Sequence, residues 1–151
     1  MSTNTAILKR ALVTGAAGGL GREVAIQLAG RGCAVAIADI NAAGTAETAR
    51  LVEHAGGQVL EIVGDFTLEG APEAAVDKVA RWGGIDILVN NAGYGVIEPF
   101  LESSYKSWTR TLALNVTALA MASKAAGRVM REQRAGRIVN ITSPGSRMAL
   151  P

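Results

Sequence analysis

Two short features of the sequence have residue types and a spacing that could do chemistry: a glycine-rich turn and one aspartate. The turn, Thr14-Gly15-Ala16-Ala17-Gly18-Gly19-Leu20-Gly21, follows an apolar run, and Asp39 ends the next apolar run. Glycines permit a tight turn and let the backbone approach a pyrophosphate at the N-terminus of the following helix. A carboxylate at the end of the next strand can accept two hydrogen bonds from a ribose diol. The spacing therefore indicates a dinucleotide site, and the absence of a Lys-Ser/Thr pair after the glycines excludes a P-loop.

Each of these residues, and of the polar residues further along, has an alternative structural interpretation. Asp39 could instead cap a helix that begins near Ala42. Asp65 after the third apolar run and Ser143 after the fifth could be ordinary turn residues. Asn115 lies within an apolar stripe of a long predicted helix, where a buried amide needs a hydrogen-bond partner whether or not it has a function.

The elements that must position these residues alternate along the chain. We predict strands at 11–14, 34–38, 59–63, 85–89 and 137–141, and helices at 20–30, 42–54, 69–82 and roughly 104–133. Continuously apolar strands separated by helices imply a parallel sheet covered on both faces. The predicted fold is a three-layer α/β, Rossmann-like, doubly wound parallel sheet. It forms one nucleotide-binding domain over residues 1–151 and stops after about the fifth strand.

The long predicted helix carries two apolar stripes. One is expected to face the sheet: Leu101, Tyr105, Trp108, Leu112, Asn115, Leu119, Ala122, Ala126 and Val129. A second stripe, Leu114, Ala118, Met121 and Ala125, needs another partner. A later part of the domain or a second subunit could cover it, and we predict a homo-oligomer formed through this helix.

The motifs together resemble the short-chain dehydrogenase/reductase family. The resemblance rests on the spacing of the glycines in the turn, on Asp65, on Asn90-Asn91-Ala92-Gly93, on Asn115 and on the strand Ile138-Val139-Asn140-Ile141-Thr142-Ser143. It covers essentially the whole chain, and the Asn-Asn-Ala-Gly motif is its most specific part. It implies NAD-dependent hydride transfer between a secondary alcohol and a ketone.

The resemblance also implies a role for each motif. Asp65 and the backbone at Phe66 would hold the adenine, and the turn at Asn91 would lie against the cofactor ribose and steady the sheet. NAD is expected over NADP, since Asp39 would repel a 2′-phosphate and the positions where phosphate-selecting relatives carry Arg or Lys are Gly18 and Ile40. The expected cofactor-binding residues are Thr14, Gly15, Gly18, Gly19, Leu20, Gly21, Asp39, Ile40, Asp65, Phe66, Asn91, Ala92 and Gly93.

The expected catalytic residues are Ser143 and Asn115. By resemblance, Ser143 would hold and polarise the substrate oxygen, and Asn115 would support a water-held proton relay. The family's general acid/base is a tyrosine about a dozen residues after the serine, with a lysine four residues beyond it. The sequence ends at Pro151, before either position. We therefore expect no turnover by residues 1–151; the alternatives are a dinucleotide-binding module without catalysis or a fragment without independent function.

Composition excludes several other classes of protein. Hydrophobic residues make up 49% of the chain, so disorder is not expected, and a net charge of +2 is too small to indicate nucleic acid. The single Cys33 and single His54 offer neither a disulfide nor a metal site. No apolar run approaches the ~20 residues of a membrane span. We expect a cytoplasmic protein that acts on a small-molecule alcohol or ketone, whose identity the sequence does not indicate.

Overall fold

The computed structural model describes residues 8–143 and forms five strands and five α-helices within that range. The strands are β1 (Arg10–Thr14), β2 (Ala34–Asp39), β3 (Val59–Val63), β4 (Ile87–Asn90) and β5 (Arg137–Asn140). The helices are α1 (Gly19–Gly30), α2 (Ala42–His54), α3 (Ala71–Arg81), α4 (Tyr105–Leu112) and α5 (Leu119–Gln133). A 3₁₀ turn, Phe100–Glu102, precedes α4, and a π-helical segment, Ala113–Ala118, joins α4 to α5.

The sheet is parallel throughout, in the order β3-β2-β1-β4-β5. Successive strand residues point to opposite faces, so the sheet divides the core into two layers. On one face Val13, Val35 and Ile37 pack with α1 and α2. On the other face Leu12 and Leu88 pack with α3 and α5. The predicted three-layer, doubly wound α/β fold is confirmed.

The chain reverses its direction of winding between β3 and β4. β1 pairs with β2 on one side and with β4 on the other, because the connection through α3 returns across the sheet. In open parallel sheets the crevice outside the carboxyl ends of the strands at such a switch point is the usual ligand site. The fold therefore places the ends of β1 and β4 at the position where a ligand site is expected.

Most predicted boundaries agree with the structure to within two residues. The fourth strand shows one of the larger differences, since we predicted 85–89 and β4 is Ile87–Asn90. Ile85 is fully buried but lies before the strand, where its amide donates to the side chain of Gln133 at 3.1 Å. The apolar run 85–89 therefore predicted a buried segment correctly, but the residues that pair in the sheet begin two positions later than predicted.

The predicted sheet-facing stripe of the long helix is wrong in its first half. Leu101, Tyr105, Trp108, Leu112 and Asn115 are exposed, whereas Ala122 and Ala126 are buried as expected. Leu101 lies in the 3₁₀ turn before the helix, and the other exposed residues precede or lie in the π-helical segment, whose i→i+5 bonding changes the angular phase of the helix. Residues of the second stripe instead face the core of their own chain: Ala118 is buried, and Leu114 and Ala125 pack against the same cluster.

Candidate functional site

A groove opens at the carboxyl ends of the central strands, at the switch point between β1 and β4. Its walls come from the turns after four strands and from the long helix. The lining residues are Thr14, Gly15, Ala38, Asp39, Ile40, Gly64, Asp65, Phe66, Thr67, Ala92, Gly93, Arg110 and Leu114. The topology thus brings together eight of the predicted cofactor-binding residues, although they are separated by up to 79 positions in the sequence.

The turns after β1 and β4 are hydrogen-bonded into one unit. The buried hydroxyl of Thr14 accepts from the backbone amides of Asn91 and Ala92, each at 3.0 Å. The side-chain amide of Asn91 donates in return to the carbonyls of Thr14 and Gly15, each at 3.0 Å. Asn91 is therefore a half-buried residue that links the two turns, and it does not line the groove.

Glycine is required at two places in this unit because backbone lies too close for a side chain. Gly15 has φ +65°, and a Cβ there would lie 2.8 Å from the Cα of Ala92. A Cβ on Gly21 would lie 2.2 Å from the carbonyl oxygen of Gly15. Both distances are far below ordinary van der Waals contact, so these glycines allow the start of α1 to pack directly against the turn.

The remaining glycines of the turn leave open space beside the start of α1. Gly18 precedes the helix in an extended conformation, and within the described chain no side chain caps the amides of the first turn. A Cβ on Gly18 or Gly19 would meet no heavy atom within 4 Å. Leu20 is exposed and lies outside the groove lining. Uncapped amides at a helix N-terminus with free space around them are the donor set that an anionic phosphate needs.

Asp39 projects into the groove from the end of β2, with each carboxylate oxygen bound to one backbone amide. Its Oδ2 accepts from Ala17 at 3.0 Å, and its Oδ1 accepts from Asn41 at 2.9 Å. The alternative in which Asp39 caps the next helix is wrong, since Asn41 is the cap and accepts from Gly44 at 3.1 Å. Each carboxylate oxygen can accept a second hydrogen bond, so the carboxylate could accept from two hydroxyls of a ribose.

Asp65, Phe66 and Ile40 form the outer end of the groove. The Thr67 hydroxyl and backbone amide donate to Oδ1 of Asp65 at 2.7 and 2.9 Å, and these bonds hold the pKa of Asp65 below its usual value. Phe66 is 8% exposed and packs into the core, whereas Ile40 is 59% exposed. This end of the groove offers apolar surface beside a carboxylate that stays ionised.

Arg110 and Tyr94 belong to no sequence motif that would have predicted their position beside the groove. Arg110 of α4 lines the groove, and its guanidinium lies over the ring of Tyr94, 4.6 Å from the ring centroid. Arg110 also adds to the stabilisation of the Asp65 carboxylate. A lone arginine in an exposed helical turn looks like a solvated cation, and only the packing of α4 beside the Asn-Asn-Ala-Gly turn brings it to the groove.

Asn115 lies in the π-helical segment and is exposed, so its predicted position in a buried stripe is wrong. Its Oδ1 accepts from the backbone amide of Tyr94 and its Nδ2 donates to the carbonyl of the same residue, both at 2.8 Å. The amide is therefore satisfied by backbone just beyond the Asn-Asn-Ala-Gly turn. Asn115 ties this loop to the long helix where the helix changes phase.

Asn90, which the motif contains but to which we assigned no role, links two strands of the sheet and one helix. Its Nδ2 donates to the Asn140 side chain of β5 and to the Ser123 hydroxyl of α5, both at 2.9 Å. Asn90 and Asn140 are paired in the sheet register, so the contact spans adjacent strands. Ser143, three residues beyond β5, is exposed and is not among the residues that line the groove. Residues 144–151, toward the expected tyrosine, lie outside the described residues.

The fold and the groove define a Rossmann-like α/β domain with a switch-point site, and comparison with known proteins gives the family. The family model described as short chain dehydrogenase matches residues 9–151. The chain belongs to the short-chain dehydrogenase/reductase family.

Two curated relatives and one solved structure illustrate the likeness. The chain is 38% identical to an uncharacterized oxidoreductase of Thermotoga maritima, covering 95% of this chain and 57% of the relative. It is 38% identical to a D-threitol dehydrogenase of Mycolicibacterium smegmatis, with 94% and 55% covered. An NAD⁺-bound xylitol dehydrogenase structure superposes with a TM-score of 0.90 at 38% identity, with 95% and 56% covered. The chain thus spans a little over half the length of these proteins.

No helix within 8–143 is both long and apolar enough to cross a membrane. Over the same range, no three His, Cys, Asp or Glu side chains are grouped so that they could hold a metal ion.

Proposed function

We propose that this chain is the nucleotide-binding part of an NAD-dependent oxidoreductase that interconverts a secondary alcohol and a ketone. The observation that carries the proposal is the switch-point groove, which Asp39 lines while it accepts from the Ala17 amide of the turn that leads into the uncapped start of α1. The domain extends over residues 1–151, and a bound nicotinamide would supply hydride chemistry. The names of the relatives, a D-threitol and a xylitol dehydrogenase, favour a small polar alcohol as substrate.

The chain's residues divide the binding work by position. Asp39 would accept the adenosine ribose hydroxyls, and the amides from Gly19 to Gly21 would donate to the pyrophosphate. Asp65, Phe66 and Ile40 would enclose the adenine. Thr14, Asn91, Ala92 and Gly93 hold the turn against which the second ribose would lie. Leu20 and Gly18 flank the phosphate position.

The catalytic roles are a separate part of the proposal. Ser143 would orient the substrate oxygen, and Asn115 would support the relay while holding the loop at Tyr94. Residues 1–151 contain no tyrosine followed by lysine after Ser143, so proton transfer would lack its acid/base. Such a group is typically worth about 10²–10⁴ in rate. A polypeptide limited to residues 1–151 is therefore expected to bind NAD without turnover.

A preference for NAD over NADP follows from the charges near Asp39. A 2′-phosphate would meet the Asp39 carboxylate, with glycine at position 18 and isoleucine at position 40. Arg22, beside Ala17, is already paired with Glu47 at 2.9 Å. Exchanging Asp39 for alanine and Ile40 for arginine should narrow or reverse the preference in competitive binding, and tighter binding of NADP by the unaltered chain would contradict it.

The experiment that tests the function is a binding titration followed by a turnover assay. Residues 1–151 are titrated with NAD by calorimetry, then mixed with NAD and a panel of secondary alcohols while NADH absorbance is recorded. A version extended along the source gene through the next helix is assayed beside it. Binding by both with turnover by the longer form alone is expected. Turnover by 1–151 would show that another residue replaces the tyrosine, and no binding by either would reject the proposal.

A homo-oligomer built through the long helix remains part of the proposal, on a different face from the one first expected. Leu112 and Val116 are exposed on this helix at 50% and 55%, whereas Ala118 is covered within its own chain. Replacing Val116 with Glu should lower the mass measured by light scattering. An unchanged mass of an oligomeric parent would place the subunit contact elsewhere. We also propose a cytoplasmic location and no nucleic-acid partner.

A further inference from the structure

One peptide unit of the glycine turn is held from both sides. The amide of the Ala16–Ala17 peptide donates to Oδ2 of Asp39 at 3.0 Å. The carbonyl of the same peptide accepts from the hydroxyl of Thr48, on α2, at 2.8 Å. Since a peptide is planar, fixing its carbonyl fixes the direction in which its amide points. Thr48 therefore determines the orientation of the donor that positions the Asp39 carboxylate.

Arg22 holds the next peptide and sets the direction of the Thr48 hydroxyl. Its Nη2 donates to the carbonyl of Ala17 at 2.6 Å, and its Nε donates to the Thr48 hydroxyl at 3.0 Å. The hydroxyl that accepts from Arg22 has one proton left to donate, and the carbonyls of Ala16 and Gly44 lie at 2.8 and 3.0 Å. Arg22 therefore donates to the hydroxyl, and the single hydroxyl proton is shared between the turn carbonyl of Ala16, which is the nearer acceptor, and the carbonyl of Gly44. On the solvent side, the carboxylate of Glu47 accepts from the same guanidinium at 2.9 Å.

The surroundings of Thr48 leave the turn little freedom to move away. Thr48 is fully buried, and α2 lies so close that a Cβ on Gly44 would approach the carbonyl of Ala17 to 2.7 Å. Water does not reach this buried hydroxyl. If the hydroxyl is removed, no water can replace its hydrogen bond to the carbonyl of Ala16, which is left unsatisfied. Neither Thr48 nor Arg22 lines the groove.

We infer that Thr48 and Arg22 are positioning residues that set how tightly the groove binds the adenosine ribose, acting through the Ala16–Ala17 peptide and Asp39. The inference rests on the proposed dinucleotide function and adds residues that the family motifs quoted above do not include. Its direct consequence is that the energetic value of the ribose 2′-hydroxyl depends on a threonine that does not touch it.

The test compares NAD with its analogue that lacks the adenosine 2′-hydroxyl. Affinities of residues 1–151 for both are measured by calorimetry, and the ratio reports the Asp39 hydrogen bond. For the unaltered chain we expect a ratio of roughly tenfold, the usual value of a hydrogen bond to a charged group. Thr48→Val, which keeps the shape but removes the hydroxyl, should lower the ratio to less than about threefold. Thr48→Ser should restore it.

A matched control lies one turn away on the same helix. Thr45 is also fully buried, but its hydroxyl donates to the carbonyl of Asn41 at 2.9 Å, the capping residue of the same helix, and not to the glycine turn. Thr45→Val should lower the melting temperature about as much as Thr48→Val while keeping the ratio. Arg22→Met, at a partly exposed side chain, gives a second test that does not depend on filling a buried site and should also lower the ratio.

The outcomes separate this inference from the function on which it rests. A lower ratio in Thr48→Val and Arg22→Met, but not in Thr45→Val, supports it. An unchanged ratio in Thr48→Val and Arg22→Met overturns it and leaves dinucleotide binding intact, as does an equal loss in Thr45→Val, which would indicate general loosening of α2. If the unaltered chain binds neither nucleotide, both the proposed function and this inference fail.

Discussion

The glycine turn and the first part of the long helix lie on either side of the same groove, yet they are built in opposite ways. The side chains of Asn91, Asp39 and Thr48 bind backbone groups of the turn, and Thr14 binds the amide of Asn91 in the next turn, all at 2.8 to 3.0 Å. In the helical region, large apolar side chains face outward, with Phe100, Leu101 and Tyr105 exposed at 75%, 94% and 87%. One wall is fixed by its own neighbours, and the other presents a surface with few contacts inside the described chain.

This difference shows when helical spacing in a sequence predicts which side chains share a face. Side chains three and four positions apart share a helix face only while the helix keeps 3.6 residues per turn. The π-helical segment, Ala113–Ala118, breaks that rule, so the stripe before it and the stripe after it face different directions. Ala118, which begins the buried side, and Val116, which remains exposed, are two positions apart.

The largest effect is expected from placing a charge on the buried side of this boundary. Ala118→Glu puts a carboxylate among Leu88, Val76 and their neighbours, where it has no partner. We expect a loss of about 4 kcal/mol in the free energy of unfolding, measured by urea denaturation. Val116→Glu introduces the same carboxylate on the exposed side and should lose less than about 0.5 kcal/mol, measured at a dilution where light scattering shows only the monomer. Equal losses would mean that Ala118 is not buried against the core, as the structure places it.

The next effect tests the rigidity of the opposite wall. Gly21→Ala places a methyl group 2.2 Å from the Gly15 carbonyl and 2.5 Å from the Asn91 side chain, so turn and helix must separate. We expect about 3 kcal/mol of destabilisation, the upper end for overpacking. For a chain of this length that corresponds to roughly 10 °C in the melting temperature.

Gly18→Ala is the matched control for that wall. Gly18 has an extended backbone that any residue adopts, and a Cβ there meets no heavy atom within 4 Å. Its melting temperature should stay within about 2 °C of the parent, even if phosphate binding weakens. A fall as large as that of Gly21→Ala would show that conformational freedom, and not close approach, is what the turn needs.

The fold and one wall of the groove could be predicted because they depend on local rules. Apolar runs, glycines and strand ends gave the parallel sheet, and the strand-end positions of Asp39 and Asp65 followed from it. Arg110, Tyr94 and the buried side of the long helix could not be predicted, because they depend on how a phase change in one helix meets a loop 21 residues earlier. Asn115 could be singled out from the sequence, but its surroundings could not. A polar amide in an apolar stripe predicted burial, whereas Asn115 is exposed and its amide is satisfied by the backbone of Tyr94.

A smaller effect is expected where Asn115 joins the loop at Tyr94 to the long helix. Asn115→Leu keeps the approximate size but removes both bonds to Tyr94, the acceptor and the donor. We expect a loss of about 1–2 kcal/mol, since each bond is partly replaced by water. The amide of Tyr94 should also lose its protection from hydrogen exchange. Asn115→Asp keeps the acceptor and should protect that amide; if it exchanges as fast as in the leucine variant, the side-chain bond is not what holds the loop.

The smallest effect is a pH dependence at the outer end of the groove. Bonds from the Thr67 hydroxyl and amide lower the pKa of Asp65 in the folded chain, relative to the unfolded value of about 3.9. A depressed folded pKa adds stability above the unfolded value, and this stability is lost as pH falls through the folded pKa.

Thr67→Val removes the hydroxyl bond, which is the larger cause, and leaves the amide bond. The pKa of Asp65, followed by carboxyl-carbon NMR, should therefore rise toward its usual value without reaching it, and Thr67→Ser should keep it low. Because this carboxylate is largely solvated, the loss of stability near neutral pH should be under about 1 kcal/mol. If the carboxyl titrates at the same pH in the valine and serine variants, Arg110 and the backbone amide are sufficient to hold its charge, and the long-helix wall contributes more to this end of the groove than its few contacts suggest.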